Sequence, residues 1–203
     1  MAGLLLFGAG GFFLGRETAG TAAPEQTGGP TPSAEPSLGV YEQSQAAINQ
    51  AKLTGALAPI SQDWLPYLSS CDRSGTPGGP SLNNGEKTRV RCRLDGMTVV
   101  FAEYATTADR DKARVKTLSQ NVDARTLTPG VGPAGDRATP SGRTNGSYVE
   151  YAYTVEESKV RQTVAGIWWD DTQTPVAAYM LAFWKSGVAE DWAPMRDVWA
   201  RYA

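Results

Sequence analysis

The hydrophobic pattern in the second half of the chain is typical of short antiparallel strands. Five segments are rich in β-favouring residues and either alternate apolar with polar positions or run as apolar stretches: residues 89–94, 97–105, 148–155, 160–170 and 176–185. Asp95-Gly96 between the first two predicts a tight hairpin. The polar segments after residues 155 and 170 have lengths that suit antiparallel turns. We therefore expect an antiparallel sheet of about five strands, connected as a meander.

Three other segments have the spacing of amphipathic helices, whereas residues 129–146 show no periodicity and are expected to form a long crossover. An N-terminal helix is predicted over residues 41–57, before Pro59. A middle helix is predicted over residues 107–118, with a buried apolar stripe formed by Ala108, Val115, Leu118 and Val122. A C-terminal helix within residues 188–202 would bury Trp192, Met195, Trp199 and Tyr202. The expected fold class is α+β, with N-terminal, middle and C-terminal helices packed on the sheet.

Residues 1–16 form an apolar segment that we interpret as a membrane anchor or a signal segment. The apolar run ends at Arg16, the first charged residue. It is therefore shorter than a membrane-spanning helix, which needs about 20 apolar residues. Either Met1 is an internal start of a longer chain, or the segment is the core of a secretion signal cleaved near Ala22. Residues 17–40 are rich in Pro, Ala, Thr and Gly and are interpreted as a linker. Residues 41–203 are expected to form a single extracytoplasmic α+β domain.

The two cysteines, Cys71 and Cys92, are interpreted as a disulfide pair. Disulfides persist mainly outside the cytoplasm. Together with the apolar N-terminus, the pair favours a single-pass protein of the cell membrane with an extracytoplasmic C-terminal domain, and a secreted protein is the alternative. Two unlinked structural thiols are the other interpretation of the cysteines.

The chain contains no histidine, which makes several classes of catalytic and metal-binding site unexpected. Histidine is the usual general base near neutral pH, the usual triad member and the commonest transition-metal ligand. Two cysteines alone do not complete a zinc site and no cofactor motif occurs, so neither a metal nor a cofactor is expected. The net charge of −2 lacks the basic excess of a protein that binds nucleic acid through its phosphates, so nucleic acid is not expected as a partner.

Arg89, Arg91 and Arg93 alternate with apolar residues on the first predicted strand. Because alternate residues of a strand share a face, the three guanidiniums are expected on one face, with Cys92 directed into the core. The functional interpretation is a docking surface for an anionic partner. The structural interpretation is a solvated edge strand on which charge discourages aggregation.

Trp168-Trp169-Asp170-Asp171 is the most conspicuous short motif. Neighbouring strand residues point to opposite faces, so one tryptophan is expected to be buried and the other to lie on the outer face or at the sheet edge, near the two carboxylates. An exposed ring beside carboxylates would suit a glycan. The alternative is that Trp168 or Trp169 packs beneath the C-terminal helix, while Asp170 and Asp171 begin a turn.

Three stretches together resemble extracytoplasmic domains of actinobacterial membrane-anchored proteins, including the outer domains of receptor-type serine/threonine kinases. They are Cys71 with Arg91-Cys92-Arg93, the stretch from Val99 to Tyr104, and the stretch from Gly166 to Asp171. The resemblance implies a sensing or interaction domain and covers roughly residues 71–203. This chain has no kinase domain.

Two functional hypotheses follow. The first is a non-catalytic binding or sensor module of the cell envelope, held to the membrane through residues 1–16, with a protein or cell-wall partner. The second is a secreted enzyme that acts on cell-wall glycan through carboxylates such as Asp170 and Asp171.

Overall fold

The computed structural model describes residues 37–157 and 159–203. The predicted anchor or signal segment, residues 1–16, and nearly all of the predicted linker lie outside the described residues. Leu38–Ala203 form one unit. Within the described ranges, none of the helices has both the length and the apolar character needed to cross a bilayer.

The described residues form one antiparallel sheet with helices on both faces, so the α+β class is confirmed. The sheet has seven strands: β1 (Ser69–Arg73), β2 (Glu86–Leu94), β3 (Met97–Tyr104), β4 (Gly135–Ala138), β5 (Asn145–Glu157), β6 (Val160–Asp170) and β7 (Val176–Phe183). The expected number of about five was too low because β1 and β4 lack β-branched residues and apolar alternation. β4 lies inside the predicted crossover, and all four of its residues are exposed.

The strand order is β1-β2-β3-β7-β6-β5-β4, which corrects the predicted meander. β5, β6 and β7 are connected as consecutive neighbours, but β7 then pairs with β3. The predicted hairpin between β2 and β3 is confirmed. Asp95 and Gly96 have φ values of 46° and 81°, which match the primed turns that suit twisted two-residue hairpins.

The described residues contain four α-helices: α1 (Val40–Gln50), α2 (Leu57–Ser61), α3 (Thr107–Leu127) and α4 (Ala193–Tyr202). The predicted helix over residues 41–57 is too long, because α1 ends at Gln50 and a separate short helix, α2, begins only at Leu57 and includes Pro59. Gly55, between them, has φ of 65°, a left-handed conformation that interrupts a right-handed helix. α3 extends well beyond the predicted end at residue 118 and begins with Thr106, whose side chain accepts a hydrogen bond from the Asp109 amide.

One face of the sheet, here called the core face, carries the larger apolar core. Trp64 packs against Trp169 of β6 with ring centroids 5.3 Å apart, and Met195 and Trp199 of α4 belong to the same cluster. The disulfide between Cys71 and Cys92 is formed and lies in this core. The predicted C-terminal stripe is therefore largely buried, although Tyr202 is only half-buried.

The opposite face, here called the α3 face, is covered in part by α3. The predicted apolar stripe of this helix is wrong, because Ala108, Val115, Leu118 and Val122 are all exposed. The buried residues of α3 are Arg110, Thr117, Asn121 and Ala124. Their spacing of seven, four and three residues is helical, but most are polar, so a search for apolar periodicity selects the wrong face.

Candidate functional site

Helix α3 is held to the sheet by polar side chains. Arg110 donates to the backbone carbonyls of Asp171 and Thr174. Arg114 forms an ion pair of 3.1 Å with Asp170 at the end of β6. Asn121 donates to the carbonyl of Glu150 on β5 at 2.6 Å. These long side chains hold the helix over the sheet without close apolar packing along its whole length.

A groove of about 1040 Å³ lies between α3 and the sheet. The loop at residues 82–85 and the first four turns of α3 provide its rim, and the α3 face of the sheet provides its floor. The floor carries five aromatic side chains, here called the aromatic floor: Tyr104, Tyr151, Tyr153, Trp168 and Tyr179. They come from four strands and share the face because alternate strand residues point the same way.

The rings of the aromatic floor lie close to one another. Trp168 and Tyr179 are nearly parallel, with centroids 6.0 Å apart and an interplanar angle of 4°. Tyr151 and Tyr153 are also stacked, at 6.2 Å and 13°. The ring of Tyr151 lies over Gly166, its partner residue on β6. A Cβ atom at residue 166 would lie only 2.4 Å from that ring. A glycine at that position therefore leaves room for the ring to lie on the sheet.

The tyrosine hydroxyls of the floor stay protonated at physiological pH. Burial raises the pKa of Tyr104, Tyr151 and Tyr153 and raises that of Tyr179 to about 12. Among the described residues, none of the four hydroxyls makes a hydrogen bond to another protein group. Each is thus a neutral O–H group that can donate to a bound molecule.

Arg89 and Glu86 form the charged part of the floor. The Arg89 Nη2 donates to Glu86 at 2.7 Å, and the second oxygen of Glu86 accepts from the Asn83 amide at 2.8 Å. The Arg89 Nε is shielded from solvent and has no hydrogen-bond partner within the described part of the chain. Burial is the largest single influence and would lower the pKa of Arg89, but the hydrogen bond to Glu86 and the Coulombic effects of Tyr179, Glu86 and Tyr104 together outweigh it, so the pKa is raised.

The three arginines predicted as one surface have different surroundings. They share a strand face as expected, but only Arg89 lines the groove. Arg91 is half exposed and lies 3.8 Å from Asp72, and Arg93 is exposed. The structure therefore does not gather the three guanidiniums into one site.

Trp168 and Trp169 point to opposite faces of the sheet, on the α3 face and the core face respectively. Neither ring is exposed, since Trp168 is 3 % and Trp169 is 2 % exposed. Helices cover both faces at this point. Trp168 nevertheless contributes to the groove and donates its Nε1 to Asp170 at 3.1 Å.

Asp170 and Asp171 are occupied by protein contacts. Asp170 is buried, and its two oxygens accept from the Ser147 amide, the Trp168 indole and Arg114. Asp171 accepts from the Thr174 hydroxyl at 2.6 Å in the turn before β7. The Asp170 carboxylate thus joins the end of β6 to the helix that covers it, and the Asp171 carboxylate stabilises the turn before β7.

Sequence reasoning missed most of the groove. Tyr104, Tyr151, Tyr153, Tyr179 and Glu86 were not singled out. The alternation of Tyr151 with Tyr153 on one strand could have placed these two rings on a common face. Nothing in the pattern shows that β3 pairs with β7, which brings Tyr104 and Tyr179 to the same place.

Comparison with the models of known protein families, with curated proteins and with solved structures finds no match. Within the described residues, no group of three or more Cys, Asp or Glu side chains is placed to hold a metal ion.

Proposed function

We propose that the folded part of this protein is a non-catalytic binding or sensor module that holds a small ligand in the groove beneath α3. The observation that carries the proposal is the aromatic floor, which places five rings and the Arg89 guanidinium along one groove. Ligand sites are typically concave and aromatic, carry a few polar groups and have volumes of roughly 300–1,000 Å³. At about 1040 Å³, this groove is as large as such sites become.

We further propose that the module works outside the cytoplasm, held to the membrane through residues 1–16. The disulfide between Cys71 and Cys92 supports this location, because such bonds persist mainly in oxidising compartments. Arg91 and Arg93 lie outside the groove. We propose that the surface around them contacts a protein or cell-wall partner.

Turnover of a glycan through Asp170 and Asp171 is disfavoured by their contacts. A glycosidase needs a protonated carboxylic acid and a second carboxylate that both face the scissile bond. Asp170 is buried with both oxygens hydrogen-bonded, one of them to a cation. Glu86 in the groove also has both oxygens engaged. These contacts favour binding over catalysis.

A blocking substitution tests the groove. Ala113 of α3 is half-buried and lines the groove, whereas Val115 on the same helix is 65 % exposed. Ala113→Phe should fill the groove, and Val115→Phe is the matched control. The probe is naphthalenemethanol, a neutral two-ring alcohol, added to the full chain with isotope-labelled tryptophan. The readout is the indole N–H resonance of Trp168, with Trp64 on the core face as internal reference.

We expect the probe to shift the Trp168 resonance saturably and to leave Trp64 unchanged. Ala113→Phe should weaken this binding by about tenfold or more, equivalent to about 1.4 kcal/mol, and Val115→Phe should not change it. An unshifted Trp168, or equal titration curves for the two variants, would refute the proposed site.

A further inference from the structure

The cationic side chain of the groove floor keeps free hydrogen-bond donors, whereas the carboxylates of the lining are already engaged. The donors are the four tyrosine hydroxyls of the aromatic floor and the N–H groups of Arg89 that Glu86 does not occupy. The carboxylates are already engaged: Glu86 accepts from Arg89 and the Asn83 amide, and Asp109 accepts from Thr106 and Lys112. A ligand that matches the free N–H groups of Arg89 must supply an acceptor, because a guanidinium can only donate and unmatched buried donors are costly.

The charge of the groove favours an anion. Its lining contains three cations, Arg89, Lys112 and Lys116, and two anions, Glu86 and Asp109, which gives a formal charge of +1. Lys112 is paired with Asp109 at 3.1 Å, and Arg89 is paired with Glu86 through one nitrogen only. A guanidinium with remaining N–H groups is suited to a carboxylate, which can accept two parallel hydrogen bonds.

The rings favour a flat ligand. The ring planes of Trp168 and Tyr179 are nearly parallel, and so are those of Tyr151 and Tyr153. Aromatic pairs in offset-stacked or edge-to-face arrangements gain more than their buried area alone provides. A flexible chain would lose more conformational freedom on binding than a rigid ring would.

We infer that the ligand is an aromatic carboxylate, whose ring lies on the aromatic floor and whose carboxylate accepts hydrogen bonds from Arg89. This inference rests on the proposed function and adds the chemical class of the ligand. Lys116 at the rim adds long-range attraction for the anion. The hydroxyls of Tyr104 and Tyr179 supply further donors on the same floor.

A matched pair of probes tests the inference in the full chain. Naphthoate carries the carboxylate, and naphthalenemethanol has the same rings without the charge. Both are titrated against the wild type, Arg89→Gln and Arg91→Gln, with the Trp168 indole resonance as the readout. Arg91 lies on the same strand face two residues away but outside the groove, so Arg91→Gln is the matched control.

We expect naphthoate to bind the wild type about tenfold more tightly than the alcohol, as charge-assisted hydrogen bonds are the stronger ones. Arg89→Gln should abolish that difference and leave affinity for the alcohol within about twofold, while Arg91→Gln should change neither. Because Arg89→Gln leaves the buried Glu86 without its cation, the double variant Glu86→Gln, Arg89→Gln is measured as well and should give the same result.

The outcomes separate this inference from the proposed function. If both probes bind the wild type equally, the groove is a binding site but carboxylate recognition is refuted. The inference is also refuted if naphthoate keeps its advantage in both Arg89 variants. If neither probe shifts Trp168, the proposed function fails together with the inference.

Discussion

Glu150 shows how a single buried carboxylate fixes α4 to the sheet. Its side chain lies on β5 and accepts hydrogen bonds from Arg196 of α4 at 2.7 and 2.8 Å, from the Tyr148 hydroxyl at 3.0 Å and from the Gly132 amide. Burial alone would raise the pKa of Glu150, but these hydrogen bonds outweigh it and hold the pKa below its usual 4.5. The ionised form is therefore bound more favourably in the folded protein than in the unfolded chain.

This shift predicts a loss of stability in acid. A carboxylate whose folded pKa is lowered stabilises the protein above its unfolded pKa, and the contribution disappears as the pH falls through the folded value. Glu150→Gln should lower the free energy of unfolding at neutral pH by about 1–3 kcal/mol. The difference from the wild type should shrink as the pH falls below 4.5. Urea unfolding across this range measures it.

Glu156→Gln on the same strand is the matched control, since Glu156 is exposed. It should leave the urea midpoint unchanged at every pH. A constant difference between Glu150→Gln and the wild type, independent of pH, would show that the ionised carboxylate is not the stabilising form.

At the same scale, sequence predicted the direction of side chains better than their exposure. Trp168 and Trp169 lie on opposite faces, as strand geometry requires. That neither is exposed depends on which helices lie above them, which no local pattern gives. The sequence does not reveal that the Asp170 carboxylate is hydrogen-bonded, because its partners Ser147 and Arg114 are distant in sequence.

At the scale of elements, the disulfide joins β1 to β2, two strands separated by a loop rich in glycine and proline. Closing a loop of 21 residues restricts the unfolded chain, and the chain-entropy estimate for that size is about 3 kcal/mol. We expect the double variant Cys71→Ser, Cys92→Ser to lose about 3 kcal/mol of unfolding free energy by urea titration.

The reduced wild type should match the double variant, which separates the effect of the covalent link from that of the serine side chains. If the oxidised and reduced proteins had the same urea midpoint, the disulfide would contribute nothing to the free energy of unfolding, which would contradict this prediction.

The elements that sequence failed to predict share one property. β4 and the buried face of α3 are held mainly by backbone or polar contacts, so hydrophobic periodicity does not reveal them. The β2–β3 hairpin and α4 were predictable because turn chemistry or an apolar stripe defines them locally.

At the scale of the whole molecule, strand order creates the candidate site. The pairing of β7 with β3 adds Tyr104 to the floor that Trp168 of β6 and Tyr179 of β7 form, and α3 closes the groove over them. Pairing of strands distant in sequence depends on the complete fold, so this constellation could not be read from the sequence. The class of the fold could be predicted from local patterns, whereas the site could not.

The measurement that tests the central claim most directly is a crystal structure of the full chain with naphthoate. Our account predicts the naphthalene ring against Trp168 and Tyr179, with its carboxylate within hydrogen-bond reach of Arg89. Naphthoate bound on the outer side of α3, against the exposed Val115, Leu118 and Val122, would contradict the claim that the groove is the ligand site.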